Sequence, residues 1–142
     1  MAVVIELAFR EGIMDQIRLR ERRFHEHAYL FVLTALEYCQ SQLAERRHIA
    51  GRELALACRD LALTRYGVIA RLVLEHWGIR STADIGDVVF TLVELNLLIS
   101  QPADSRDDFL TVYEFEDAFE GNYPWHVAPR AQSESGARER NV

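Results

Sequence analysis

The chain contains no lysine: all sixteen basic residues among its 142 are arginines. That absence excludes Schiff-base chemistry, lysine-dependent phosphate loops and serine–lysine hydrolysis together. Glycine is sparse as well. The seven glycines are spread so thinly that the closest pair, Gly78 and Gly86, lie eight positions apart. No loop that cradles a phosphate or a dinucleotide can be built from them. The two cysteines, Cys39 and Cys58, sit inside apolar helical patterns, which suits a reducing cytoplasm better than a disulfide scaffold. No run of eighteen apolar residues is present to span a membrane. Glu6 brings a negative charge close to the start, where a signal peptide would be basic and then apolar.

What is present is ordinary for a globular domain: 49% hydrophobic and 27% charged residues, enough for one core. The net charge of −6 is unevenly placed. Asp104, Asp107, Asp108, Glu114, Glu116, Asp117 and Glu120 face only Arg106 within residues 104–120, and this stretch carries the whole excess. Arginine runs at Arg18, Arg20, Arg22 and Arg23, and at Arg46, Arg47 and Arg52, read as solvated turns between helices rather than phosphate footprints.

Periodicity predicts a mainly α protein with about five helices and a C-terminal β-hairpin. Ile5, Phe9, Ile13 and Ile17 give a first amphipathic helix over 3–19. Two adjacent apolar stripes, from Phe24 to Tyr38 and from Tyr29 to Leu43, predict a largely enclosed helix over 24–46. Leu54, Cys58, Leu61 and Ala62 line a third over about 51–65. A short fourth over 68–77 turns Ile69, Leu72, Val73 and a buried Trp77 inward. Ser81 and Asp84 have capping-box spacing before a fifth helix over about 82–96. Gly86 in that helix implies a close neighbouring backbone. Phe109, Thr111, Tyr113 and Phe115 alternate and read as a hairpin, with a helix over 106–119 as the competing reading. The expected organisation is one globular domain over 1–125, with a helix pair at 3–47 and a second module at 50–120. A disordered tail follows at 126–142.

The order of three helices and a hairpin over 50–115 resembles a winged helix-turn-helix. A wider resemblance runs over 3–125. It is carried by Arg23-Phe24-His25, Ala28-Tyr29, Phe31-Val32, Arg59-Asp60, Tyr66-Gly67, Leu74, Trp77-Gly78-Ile79, Asp84-Ile85-Gly86, Val89-Phe90, Asp104-Ser105-Arg106, Asp108-Phe109, Tyr113, Phe115 and Ala118-Phe119. On these residues the chain resembles a small family of uncharacterised bacterial proteins, and that likeness implies no activity, cofactor or partner.

Residues able to carry chemistry are few. His25 and His27, placed on a helix, would point about 200° apart and could not share an ion, so no metal site is expected. His76 beside Glu75 and Trp77 reads as structural. Arg59, Asp60 and Asp84 suggest an ion pair fixing the third helix against the fifth. No cofactor and no catalytic set is expected. Phe109, Tyr113, Phe119, Tyr123 and Trp125, interleaved with carboxylates such as Glu116, either close the core or present anchors to an arginine-bearing partner. The expected function is non-catalytic protein–protein interaction or self-association in the cytoplasm. A winged-helix nucleic-acid binder is the alternative and an unrecognised enzyme a third. DNA binding is not expected, because Asp84, Asp87 and Glu94 stand on the helix that would enter the groove.

Overall fold

The computed structural model describes residues 2–3, 15–16 and 22–121. Four α-helices carry the core: α1 (Glu26–Ser41), α2 (Gly51–Tyr66), α3 (Ala70–His76) and α4 (Thr82–Glu94). Two short strands, β1 (Ala2–Val3) and β2 (Leu98–Ile99), pair antiparallel with Ala2 opposite Ile99 and Val3 opposite Leu98. Helix α1 packs on both α2 and α4, and α3 packs on α2. Val3 thus belongs to a strand rather than to the expected first helix. Residues 15–16 are helical, and the rest of the 3–19 helix and the 126–142 tail lie outside the described residues.

Helices α1, α2 and α4 start where the sequence supplies a side-chain partner for backbone amides at the N-terminus, whereas α3 follows a 3₁₀ turn without a side-chain cap. The His25 ring accepts the His27 N–H at 3.0 Å and caps α1. The Glu53 carboxylate reaches back to the Ala50 N–H at 3.0 Å and opens α2. Ser81 accepts from the Asp84 N–H at 3.3 Å, while the Asp84 carboxylate takes the Arg80 N–H at 2.8 Å. This is the expected capping arrangement, reaching back one residue further than the simple box. The two apolar stripes of α1 are both used: Ala28, Tyr29, Phe31, Val32, Leu33, Ala35 and Leu36 are all buried.

Helix α3 departs from its expected face. Ala70 and Leu74 are its buried residues, Val73 and Trp77 are half-buried, and Ile69 and Leu72 are exposed. The cause is the junction with α2. Gly67 takes a positive φ of 53°, a conformation that disfavours any residue with a Cβ. A 3₁₀ turn over Gly67–Ile69 then resets the phase before α3 begins. Trp77 is packed against Phe31 at 5.6 Å and Tyr66 at 5.9 Å between ring centroids, without being enclosed.

The expected hairpin is replaced by turns. Residues Arg106–Phe109 form a 3₁₀ turn and Asp117–Gly121 a π turn, and no strand occurs between them. Ser105 accepts the Asp107 N–H at 3.1 Å, and Asp108 accepts the Ser105 N–H at 3.1 Å. These two bonds close the chain into a helical turn where a strand would need extension. Thr111 at φ 48° then breaks any extended run, and Val112 N–H is held by the buried Thr82 hydroxyl at 3.3 Å. The mainly α reading holds, and the expected hairpin of a winged-helix module is absent from residues 106–121.

The 3₁₀ turn places Phe109 between α2 and α4, fully buried. A Cβ at Gly86 would lie 2.9 Å from the Phe109 Cβ and 3.0 Å from its ring. A Cβ at Gly51 would lie 2.9 Å from the other end of the same ring. The close neighbour implied by Gly86 is thus a side chain, not a backbone. Phe109→Ala is expected to cost about 3–5 kcal/mol in urea unfolding. Gly86→Ala should destabilise by about 1–3 kcal/mol through overpacking, despite the gain of roughly 1 kcal/mol in helix propensity. A double-mutant cycle in which Gly86→Ala costs as much without the ring as with it would sink this account.

Candidate functional site

The acidic-aromatic segment is core before it is surface. Phe109 and Phe119 are fully buried, and Phe115 packs edge-on to Phe119 at 4.9 Å. Tyr113 is largely covered, and its hydroxyl donates to the Ala55 carbonyl at 2.8 Å. Burial raises its phenol pKa, so it stays a neutral donor. Among the expected contact residues Phe109, Tyr113, Glu116 and Phe119, only Glu116 faces solvent. Tyr123 and Trp125 lie outside the described residues.

The expected ion pair is also rearranged. Arg59 bonds its neighbour Asp60 at 3.0 Å and does not link α2 to α4. Asp84 instead faces Arg23 at 3.6 Å. Arg23 also grips Asp87, whose other oxygen takes Arg106 at 2.7 Å. Arg106 continues to Glu94 at 3.9 Å. One face of α4 is therefore covered by a chain of alternating charges, with Arg23 lying over the Phe24 ring and Arg106 over Phe90.

His25 and His27 do not diverge. His25 stands outside the helix as its cap, so the two rings stack at 4.8 Å and only 8° apart, with His76 6.2 Å from His25. The His25 Nδ1 lone pair is already taken by the His27 N–H. Among the described residues no group of three or more His, Cys, Asp or Glu is arranged to hold a metal ion. Burial raises the thiol pKa of Cys39 and, far more, of Cys58, so both remain protonated and poorly nucleophilic.

A cavity of about 290 Å³ lies between the α1–α2 link and β2, lined by Gln40, Arg46, Arg47, His48, Ile99 and Gln101. His48 Nε2 meets Asp104 at 3.0 Å, and the other Asp104 oxygen accepts the Gln101 N–H at 2.8 Å. Gln40 is buried and holds the Arg47 backbone at both its N–H and its carbonyl. Arg47 is itself bound to Glu53 through two bonds of 2.7 and 3.0 Å. Among the described residues, those lining the cavity include no hydroxyl or thiol. Its polar groups are spent on fixing the link and the 101–104 turn.

The surface that stands out was not expected. Val68, Ile69 and Leu72 are 59%, 47% and 67% exposed, three large apolar side chains within five residues. Val68 and Ile69 lie in the 3₁₀ turn and Leu72 in the first turn of α3, a helix that also carries Arg71 and Glu75. Arg71 bonds Glu75 at 2.9 Å and Glu120 at 3.1 Å, which draws the π turn against this corner. Next to it His27, Leu30, Phe31, Thr34, Arg65, Tyr66 and Trp77 line a shallow groove of about 100 Å³. The sequence signal was an excess: more apolar residues over 68–77 than one face of a short helix can bury.

Arg47 holds the Glu53 carboxyl pKa down at about 2, from an ordinary 4.5, with help from the Ala50 N–H. The depressed value means that this contribution is complete above about pH 4.5 and is lost as pH falls toward 2. Glu53 is over one third exposed, so solvent screening holds the contribution to about 1 kcal/mol or less. Glu53→Gln should accordingly be less stable than the parent at pH 6, with the gap closing toward pH 2. A gap that stays constant with pH would disprove the assignment.

No protein-family model matches the chain, and neither a curated protein nor a solved structure matches it.

Proposed function

We propose that the protein is a non-catalytic interaction module that acts through the apolar corner at the α2–α3 junction. The observation that carries this reading is the exposure of Val68, Ile69 and Leu72 together. Ile99 and Leu110 are exposed singly, as is normal for a soluble surface, whereas clustered exposure marks contact sites. The occupant is a partner protein or a second copy of this chain. Both cysteines are unbridged, in keeping with a cytoplasmic setting, and among the described residues no helix is long and apolar enough to cross a membrane. The likeness to a small bacterial family and the winged-helix outline belong to the same reading, as a shared scaffold rather than as a source of activity.

Nucleic-acid binding is the weaker alternative. In the winged-helix geometry α4 would enter the major groove, and its outer face carries Asp84, Asp87 and Glu94. Arg23 and Arg106, which reach that face, are already engaged by these carboxylates. Releasing them for phosphate would leave three acids facing the backbone. An enzymatic role would centre on His48 and Asp104, and among the described residues the adjoining cavity is lined by no hydroxyl or thiol.

The corner is tested by placing a photo-crosslinking residue at Leu72 and, as a control, at exposed Arg52, with light scattering of the parent chain and a V68S/L72S variant. Crosslinks from position 72 alone, or a concentration-dependent dimer that V68S/L72S reduces to a monomer, are expected. A monomer with no crosslink at position 72 beyond that at 52 would rule the corner out. Short duplex DNA should not shift at micromolar protein and low salt. Salt-sensitive binding that Arg23→Glu abolishes would favour the alternative.

A further inference from the structure

We propose that the corner accepts a basic amphipathic helix: a segment with large apolar side chains at i and i+4 flanked by arginine or lysine. This rests on reading the corner as a contact surface, and it adds the chemistry of the partner. The apolar centre is set by Val68 and Ile69 of the 3₁₀ turn and Leu72 of α3, exposed within five residues of one another. Such a compact apolar patch is what the apolar stripe of a partner helix covers.

The rim decides the sign of the charge. Arg71 is shared by Glu75 and Glu120, at 2.9 and 3.1 Å. Glu116 and Asp117 lie one helical turn before Glu120, are exposed, and pair with no cation among the described residues. Arg71 is thus shared by two carboxylates, and the π turn that packs against α3 brings exposed Asp117 with it, while Arg65 lies on the groove side with Tyr66 and Trp77. An acidic partner would meet like charge, and a wholly apolar one would strip water from carboxylates without pairing them. A basic amphipathic helix does neither. Its apolar stripe covers Val68 and Leu72 while its long cationic side chains reach outward to the rim. The same charge balance works against a second copy docking corner to corner, since a two-fold contact would oppose the carboxylates to themselves.

The probe is a fluorescein-labelled synthetic peptide of roughly four helical turns, leucine on one face and lysine on the other. Its controls are the same composition in scrambled order and a matched leucine–glutamate peptide, all read by fluorescence anisotropy. The ordered leucine–lysine peptide should bind the full chain at least about tenfold tighter than either control. V68S/L72S should weaken it about tenfold, and E116Q/D117N about threefold or more with a flatter salt dependence. All four substitutions are at exposed positions, and unchanged melting curves confirm the fold. If the leucine–glutamate peptide binds as tightly as the leucine–lysine one, the basic partner is refuted and the corner stands. If V68S/L72S binds the leucine–lysine peptide unchanged, or no peptide binds at all, the corner itself is refuted as the contact surface.

Discussion

Phe109 is the residue on which the arrangement of the chain depends. It comes from a 3₁₀ turn near the end of the described chain and fills the space that Gly51 and Gly86 leave open on α2 and α4. Neither helix could take an alanine there without displacing the ring. The glycines thus lose some helix propensity, by roughly 1 kcal/mol for an interior position such as Gly86, and the buried aromatic compensates by welding two helices to a third segment. Once the ring is seated, Phe115 and Phe119 follow into the same core. Tyr113 is then carried to the Ala55 carbonyl. The aromatic residues of the acidic stretch turn inward, and its carboxylates are left on the outside.

This sorting explains why the helices were legible and the acidic segment was not. A long helix such as α1 repeats its apolar stripe over several turns, so a phase error is corrected within the element. Residues 106–121 offer no such repeat. Their alternation at Phe109, Thr111, Tyr113 and Phe115 imitates a strand, while the residues that bury are Phe109, Phe115, Ala118 and Phe119, a spacing that fits no single period. The decisive signal was present in a different form. Ser105 and Asp108 have the same spacing as Ser81 and Asp84, and both pairs close a helical turn. Ser81 and Asp84 are legible as a cap because an apolar helix pattern follows them; Ser105 and Asp108 are masked by the β-like alternation that follows them. The histidines show the same limit. His25 and His27 diverge on a helix, but one residue of cap between helix and loop is enough to stack them.

Charge placement follows from topology more than from local sequence. Asp87 is bound by Arg23, 64 positions before it, and by Arg106, 19 after it. Nothing in residues 81–105 reveals that their carboxylates will be covered by arginines arriving from both sides. These exposed pairs add little stability individually. Their effect is to set two cations against the three carboxylates on the outer face of α4. Glu114, Glu116 and Asp117 are left exposed, and the π turn that Asp117 opens packs against α3.

The corner at α3 is the outcome of that division and of one backbone torsion. Had α2 continued through Gly67, the phase of the helix would have carried on into residues 68–72. The positive φ at Gly67 and the 3₁₀ turn after it shift that phase, so Ala70 and Leu74 take the inner positions. The larger Val68, Ile69 and Leu72 are turned outward. Covering such side chains is worth about 1.5–3 kcal/mol apiece, which their present exposure mostly forgoes. Alanine at 70 also lets α3 lie close to α2, which a bulkier residue would prevent. Ala70 and Leu74 face the core, while Val68, Ile69 and Leu72 face solvent, which is more apolar exposure in five residues than stability alone favours. That concentrated exposure is the physical basis for treating the corner as a contact surface.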